Sequence, residues 1–235
     1  MTDGHVEVRP FTSYVADRRP DVPTSSISFG EVRDTKVKVR RVFACSDLAD
    51  SVQIVSELIA LQLPIDWTTF AWPDTPKLGN IVLVKGDPKW AWQPAAPAFE
   101  VHAMDVPAAT TVDTFVVDHV VLLVPDLATA VQRFDTIGLQ PRLRMDVGGR
   151  PAAFFRAGTV IEVIESPVRQ ASVYGIAVTA VESLETIALS WRALGLSVGD
   201  IKDAIQPGRR IMTIHDLDIG FAVMTPDNAA VTRQR

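Results

Sequence analysis

The sequence predicts an α+β protein built from tandem β-α-β-β-β modules that follow a degenerate N-terminal module. Three segments share the same order of apolar strand, helix start and apolar helical stripe. Each segment closes with an apolar strand that ends at a proline, at Pro88, Pro167 and Pro226. The composition, 47% hydrophobic and 22% charged residues in 235, is typical of a globular protein with a sizeable core.

The chain divides into five predicted segments. Residues 1–31 are rich in Pro, Ser, Thr, Asp and Arg and predict an N-terminal arm. Residues 32–93 carry the degenerate module, in which the short stretch PDTPKL is expected to replace a strand. Residues 94–111 predict a proline-rich linker with one short strand, FEVHAM. Residues 112–168 and 172–228 carry the two complete modules.

The helix of each segment begins at a similar place. VRRVFACSDL, DHVVLLVPDL and YGIAVTAVESL each bring an acidic or hydroxyl residue just before a leucine, where a side-chain oxygen can cap the first helical turn. Apolar residues then follow at helical spacing: Val52, Val55 and Ile59; Val131 and Phe134; Ile187, Trp191 and Leu194. Gly138 and Gly195 fit the left-handed position that closes a helix.

The strands after each helix are read from apolar runs and turns. In residues 112–168, RLRMDVGGRPAAFFRAG predicts two strands around a tight turn at Gly148–Gly149, and GTVIEVIESP predicts the last strand. In residues 172–228, QPGRRIMTIHD predicts at least one strand and IGFAVMTP predicts the last.

Charge, cysteine content and hydropathy limit the class of protein. The net charge of −5 argues against a nucleic-acid partner, which usually requires a basic surface. Cys45 is the only cysteine and is expected in the core, so a reducing compartment is permitted. The N-terminus does not resemble a signal peptide and no apolar run is long enough to cross a bilayer. We therefore expect a cytoplasmic protein without a membrane partner.

DHVVLLVPDLATAVQRF resembles the opening of a module of the vicinal oxygen chelate superfamily. GTVIEVIESP resembles the last strand of such a module, as in methylmalonyl-CoA epimerase and glyoxalase relatives, and residues 174–226 resemble a second module. The resemblance implies that two modules pair into a curved mixed sheet, a cup of eight strands with helices outside. It also implies one divalent metal in the cup, held by the first and last strands of each module and chelated by the substrate.

The resemblance places metal ligands at His119 and Glu162, on the first and last strands of residues 112–168. Side-chain alternation would put Val121 and Leu123 beside His119, and Val160 and Ile164 beside Glu162. Two protein ligands bind a metal weakly, so we expect a third from His215 or from a partner subunit. The implied cofactor is one divalent metal (Fe, Mn, Zn, Ni or Co) or none.

The matching positions of residues 172–228 fall on Ile176 and on Phe221 or Ala222, and none of these side chains binds such a metal. Large apolar residues at Ile176 and Phe221 would fill the cup instead.

Without a metal, Glu162 is a candidate catalytic base next to a carbonyl, with His119 as its companion, because a buried carboxylate has a raised pKa. A plain ion pair of Glu162 with His119 or an arginine is the alternative. Arg156 and Arg210 are the candidates for binding an anionic group on a substrate, with solvent exposure as the alternative. Glu165 is expected to be solvated.

Aromatic residues concentrate in the degenerate module and its exit. They predict a patch that covers the cup or another subunit, or else ordinary packing; its members are Trp67, Trp72, Trp90 and Trp92.

Three functional hypotheses follow. The first is an isomerase or lyase acting on a small oxygenated metabolite, with dioxygenase chemistry less expected. The second is a metal-free protein that sequesters a small molecule, as bleomycin-resistance relatives do. The third is a structural relative with a filled cup. A homodimer is expected in each case, because an unpaired module leaves an open sheet edge.

Overall fold

The structure is a computed structural model that describes residues 56–99 and 101–226. The strands of the N-terminal part are β1 (Glu57–Leu63), β2 (Pro76–Leu78), β3 (Ile81–Lys85), β4 (Lys89–Gln93), β5 (His102–Ala103) and β6 (Thr110–Thr111), with a 3₁₀ helix at Trp67–Phe70. Then follow β7 (Phe115–Val124), α1 (Leu127–Asp135), β8 (Leu143–Asp146), β9 (Pro151–Ala157) and β10 (Thr159–Glu165). The last elements are β11 (Ser172–Ala180), α2 (Leu184–Ala193), β12 (Lys202–Asp203), β13 (Arg210–Ile214) and β14 (Gly220–Met224). The predicted α+β class is confirmed.

The two complete modules build one eight-stranded mixed sheet. Its strand order is β12-β13-β14-β11-β7-β10-β9-β8, so each module supplies four adjacent strands. Within each module the first and last strands are parallel, β7 with β10 and β11 with β14. The antiparallel pair β7–β11 joins the modules at the middle of the sheet. This is the tandem β-α-β-β-β architecture that the sequence predicts.

The two faces of this sheet differ in what they contact. The core face packs on the main hydrophobic cluster and includes Val120, Ile161, Ile176 and Phe221. The opposite face, here called the site face, carries His119, Glu162, Ala177 and Ala222 by strand alternation.

A β-bulge in β7 changes which side chains reach each face. The register of β7 against β11 shifts between Val117 and His119, which leaves Asp118 as the extra residue. Val117 before the bulge and Val120 after it both belong to the main hydrophobic cluster. The Thr159 hydroxyl lies 3.0 Å from the carbonyl oxygens of both Val117 and Asp118 and ties the bulge to β10.

Both helices begin and end as their sequences predict. Asp126 caps α1 by accepting from the Thr129 N–H, and Ser183 caps α2 by accepting from the Thr186 N–H. Gly138 and Gly195 have φ of 77° and 90°, the left-handed conformation expected after a helix.

Glu165, which is expected to be solvated, is half-buried at the end of β10. One of its carboxylate oxygens accepts a 3.0 Å hydrogen bond from the Leu127 N–H, so Glu165 satisfies a free donor in the first turn of α1.

The N-terminal sheet corrects two other expectations. Its order is β5-β4-β1-β3-β2-β6. Ile59 belongs to strand β1 rather than to a helix, because the chain pairs on both sides, with β3 and β4. The stretch PDTPKL does contain a strand, β2, which begins at Pro76. The predicted arm at residues 1–31, the strand around Cys45, and Val52 and Val55 lie outside the described residues.

The aromatic residues of the N-terminal part pack on the core face. Phe221 lies at the centre of this cluster, with ring centroids 5.0 Å from Phe70, 6.2 Å from Trp67 and 6.1 Å from Trp191. Trp90 and Trp92 contact each other edge to face at 5.3 Å, and Trp92 reaches Phe134 of α1 at 6.3 Å. The tryptophans therefore follow the ordinary-packing alternative and do not cover the site face. Within the described residues, no helix is long and apolar enough to cross a membrane.

Candidate functional site

His119 and Glu162 lie together on the site face, on the neighbouring parallel strands β7 and β10. His119 pairs with Val160 and Glu162 pairs with Val121, so the two side chains are diagonal neighbours. The imidazole Nε2 is 3.5 Å from the nearer Glu162 carboxylate oxygen. This separation exceeds that of a normal N–H···O hydrogen bond. Only 6% of His119 and 8% of Glu162 is exposed, so both polar groups are largely removed from water.

The other ring nitrogen of His119 is held by Asp118. Its Nδ1 lies 2.8 Å from one Asp118 carboxylate oxygen, and the second oxygen accepts a 2.6 Å hydrogen bond from Arg209. A carboxylate only accepts, so Nδ1 carries the proton and Nε2 of a neutral ring presents its lone pair to Glu162. The bulge makes this possible, because regular alternation would send neighbouring side chains to opposite faces.

Burial and hydrogen bonding move the pKa values of the two carboxyl groups in opposite directions. For Asp118, burial favours the neutral form, but hydrogen bonds from His119 and Arg209 outweigh it and the pKa lies below its ordinary value. For Glu162, burial raises the pKa, and the positive charge that His119 carries when its ring is protonated offsets this only in part. Asp118 therefore stays ionised as an acceptor, while the proton affinity of Glu162 is increased. That division suits one carboxylate for orienting the ring and the other for exchanging a proton.

The second module has no donors at the equivalent places. Ala177 pairs with His119 across the boundary between the modules. The pairs His119–Ala177 and Val121–Gly175 lie symmetrically on either side of the pair Val120–Ile176, so Gly175 stands at the place of His119. Glu162 pairs with Val121 in the first module and Ala222 pairs with Ala177 in the second, which puts Ala222 at the place of Glu162. The expected position Ile176 is therefore one residue away from the place of His119. Of the two positions expected on the last strand, the pairing supports Ala222. Ile176 and Phe221 pack on the core face and do not fill the site face.

One polar side chain of the second module faces the same way. Thr213 pairs with Ala222, is 4% exposed, and its hydroxyl has no hydrogen-bond partner within the described part of the chain. Across the sheet, His119 is thus followed by the apolar residues Ala177 and Ala222 and then by the Thr213 hydroxyl.

Of the predicted metal ligands, His215 does not join His119 and Glu162. His215 lies beside Gly199 at the end of β13, and its backbone N–H donates to the Ser197 carbonyl. Over residues 56–99 and 101–226, no group of three His, Cys, Asp or Glu side chains is placed to hold a metal. The imidazole and carboxylate of His119 and Glu162 suit a divalent metal chemically, but two donors are fewer than the three that protein sites usually supply. The described residues alone therefore do not fit a metal.

The two arginines chosen from the sequence lie in different places. Arg156 is exposed and in register with Val160, which pairs with His119, so it sits on the site face two strands from the imidazole. Arg210 instead forms two hydrogen bonds, of 2.5 and 3.2 Å, to Glu185 at the start of α2. It is not at the site, because alternation groups it with the core-facing Met212 and Ile214.

The buried arginine at the site is Arg209. Its Nε donates to the Thr225 carbonyl at 2.8 Å while a terminal nitrogen donates to Asp118. It precedes β13, so alternation along the strand gave no signal for it. Two described surface cavities, of 610 and 180 Å³, are lined by other parts of the chain and do not include the pair.

No protein-family model matches the sequence. No curated protein matches it either. Several solved structures are similar to about half of the chain. The methylmalonyl-CoA epimerase from Mycobacterium tuberculosis is 17% identical with a TM-score of 0.41, over 49% of this chain and 91% of that one. A variant of the Streptomyces coelicolor methylmalonyl-CoA epimerase in complex with 2-nitronate-propionyl-CoA is 18% identical with a TM-score of 0.42, over 49% and 97%. These epimerases belong to the vicinal oxygen chelate superfamily that the sequence resembles, and the match is distant.

Proposed function

We propose that this chain is an enzyme that moves a proton on a small oxygenated metabolite, in an isomerase or lyase reaction, at the Glu162–His119 pair. The supporting observation is a buried carboxylate, with a raised pKa, 3.5 Å from an imidazole whose far nitrogen is fixed by Asp118. A base whose pKa is raised toward neutrality is more effective in removing a weakly acidic proton.

The step needs no co-reactant. Ionised Glu162 removes a proton from the carbon next to a substrate carbonyl, and the C–H electron pair moves into an enolate while Glu162 becomes neutral. The same proton then returns to the carbon from Glu162, or passes to His119 Nε2 and is delivered from there. Return to the other side of the carbon gives an isomer, and loss of a leaving group from the enolate gives a lyase product.

Arg156 is the proposed binding group for an anionic part of the substrate. It is exposed on the site face in line with His119. A guanidinium binds carboxylate or phosphate through two parallel hydrogen bonds and would orient the substrate over the pair.

A divalent metal is the second candidate, favoured by the hydrogen bond from His119 to Asp118. Carboxylates commonly hold metal-binding histidines from behind in this way. His119 and Glu162 would each supply one ligand, and a third would come from outside the described residues or from a partner subunit. The metal would polarise the substrate oxygen.

A metal-free binding protein is the third candidate. It is favoured by Gly175 and Ala222, which stand where a complete chelate site would carry donors. In this case the site face would hold a small molecule without changing it. The expected homodimer, the cytoplasmic location and the absence of nucleic-acid and membrane partners stay predictions in all three cases.

Hydrogen–deuterium exchange tests the proton transfer. The protein is incubated in D₂O with a panel of small aldehydes, ketones and 2-oxo acids, and loss of the C–H signal next to the carbonyl is followed by NMR. Glu162→Gln should slow exchange by about 10²- to 10⁴-fold, the usual contribution of a general base. The matched control is Glu182→Gln, at an exposed position just before α2, which should leave exchange unchanged. Equal exchange by wild type and Glu162→Gln would contradict the proposal.

Metal content separates the first two candidates. Purified protein is analysed with and without added Fe(II), Mn(II), Zn(II), Ni(II) and Co(II), beside His119→Ala. Stoichiometric metal that the variant loses would favour the metal candidate. A ligand that raises the melting temperature without exchange would favour the binding protein.

A further inference from the structure

Arg209 is a buried cation that the second module contributes to the site of the first. It is 8% exposed and lies in the turn before β13, where its own N–H donates to the Gln206 carbonyl and its carbonyl accepts from Ala204. Two separate nitrogens of the guanidinium are engaged, one with the Thr225 carbonyl and one with Asp118. The planar group is therefore fixed in position and in orientation.

Asp118 divides its two oxygens between two partners. One oxygen accepts from Arg209 at 2.6 Å and the other from His119 Nδ1 at 2.8 Å. Because the guanidinium fixes one oxygen, rotation of the carboxylate is restricted and the other oxygen stays aimed at the imidazole. Four groups then lie in series: Arg209, Asp118, His119 and Glu162.

Stability alone does not account for an Asp118 carboxylate that is shared between Arg209 and His119. Buried pairs are often no more stabilising than apolar residues of the same size, because both charges lose their water. Here the pair also requires a bulge in β7, which interrupts the pairing with β11. The bulge turns Asp118 to the same side as His119, where the carboxylate can hold the ring.

We propose that Arg209 is a positioning residue that acts through Asp118 to hold His119 with its proton on Nδ1 and its lone pair toward Glu162. The module that lacks ligands thereby determines which nitrogen of His119 meets the substrate. This inference rests on the proposed function for its consequence in catalysis, but the state of the ring can be measured without a substrate.

The test is the tautomer of His119, read from the ¹⁵N shifts of its ring in long-range ¹H–¹⁵N spectra over a range of pH. The chain has four histidines, and the signal that disappears in His119→Gln identifies the residue. Wild type should show Nδ1–H in the neutral ring. Arg209→Met should shift the ring toward a mixture of tautomers, and Arg209→Lys should restore part of the wild-type signal.

The adjacent arginine is a matched control. Arg210→Met removes a cation that pairs with Glu185, whereas Asp118 pairs with Arg209, so the tautomer should not change. Asp118→Asn serves as a second variant in case Arg209→Met folds poorly. Its amide can donate to Nδ1 and should move the proton to Nε2, the exchange that disables histidine bases elsewhere.

Each outcome is decisive. A tautomer unchanged in Arg209→Met, or in Asp118→Asn when the former does not fold, overturns the proposal, since a purely structural pair would lower stability alone. If a substrate is found, Arg209→Met should lower its turnover by about 10- to 100-fold, the usual scale for residues behind a site. If the tautomer shifts but no exchange activity exists in wild type, the positioning role stands and the proposed function fails.

Discussion

Phe221 offers a direct test of which face of β14 is buried against the N-terminal part. The residue is fully buried, and its ring contacts the rings of Phe70, Trp67, Trp72 and Trp191 at centroid distances between 5.0 and 6.3 Å. Truncating a buried Phe to Ala costs about 3–5 kcal/mol through lost transfer energy and the cavity left behind. Because four aromatic contacts are lost together, we expect Phe221→Ala to lower the free energy of unfolding by about 4 kcal/mol.

The assay is urea denaturation followed by tryptophan fluorescence. With an m-value of about 2 kcal/mol per molar urea, the midpoint should fall by roughly 2 M. Leu189→Ala is the control, since Leu189 is 73% exposed on α2 and its truncation should change stability by less than about 0.5 kcal/mol. A loss below about 1 kcal/mol in Phe221→Ala would refute the assignment of Phe221 to the core face and favour the site face, which was one of the two alternatives from the sequence.

Two further predictions concern the site face. Thr213→Val should raise the free energy of unfolding by about 1 kcal/mol, because it removes a buried hydroxyl without a described partner; lower stability in urea titration would instead reveal a partner for that hydroxyl. Glu162→Gln should change how stability depends on pH. Burial raises the folded-state pKa of Glu162, so its contribution is fully present below the unfolded pKa and is lost as pH rises through the folded pKa. Wild type should therefore lose stability relative to the variant as pH rises from 4, and a difference that is constant from pH 4 to 8 would contradict this.

The sequence predicted the part of the site that depends on strand alternation within one module. His119 and Glu162 lie on the first and last strands of that module, and the parallel pairing of β7 with β10 brings them together. Each lies in an apolar strand, so a common buried face follows from period-two alternation.

The contribution of the second module was not predictable in the same way. The bulge at Asp118 depends on how β7 and β11 align, and that alignment is set by contacts far apart in the chain. Arg209 lies in a turn, where no periodicity shows which way a side chain points. The sequence favoured Arg210 as the anion-binding residue instead. Alternation groups Arg210 with Met212 and Ile214 on the core face, and its guanidinium pairs with Glu185 of α2.

The error at β1 has a different cause. The segment from Val52 to Leu63 carries apolar residues at a spacing that suits a helix, yet Leu58, Leu61 and Leu63 are buried in a strand. Short apolar segments fit both the helical and the strand periodicity. Here the segment is a strand because it pairs with β3 on one side and β4 on the other.

The strand pair β7–β11 also determines what a fragment of this protein can retain. A fragment that ends near Val168 would keep the imidazole and the carboxylate but lose the guanidinium, and it would expose the edge of β7 that β11 covers. A fragment that begins near Ser172 would keep the guanidinium with no anion to receive it. The module without ligands is therefore not a dispensable duplicate, because removing either module leaves a buried charge of the other without its ion-pair partner.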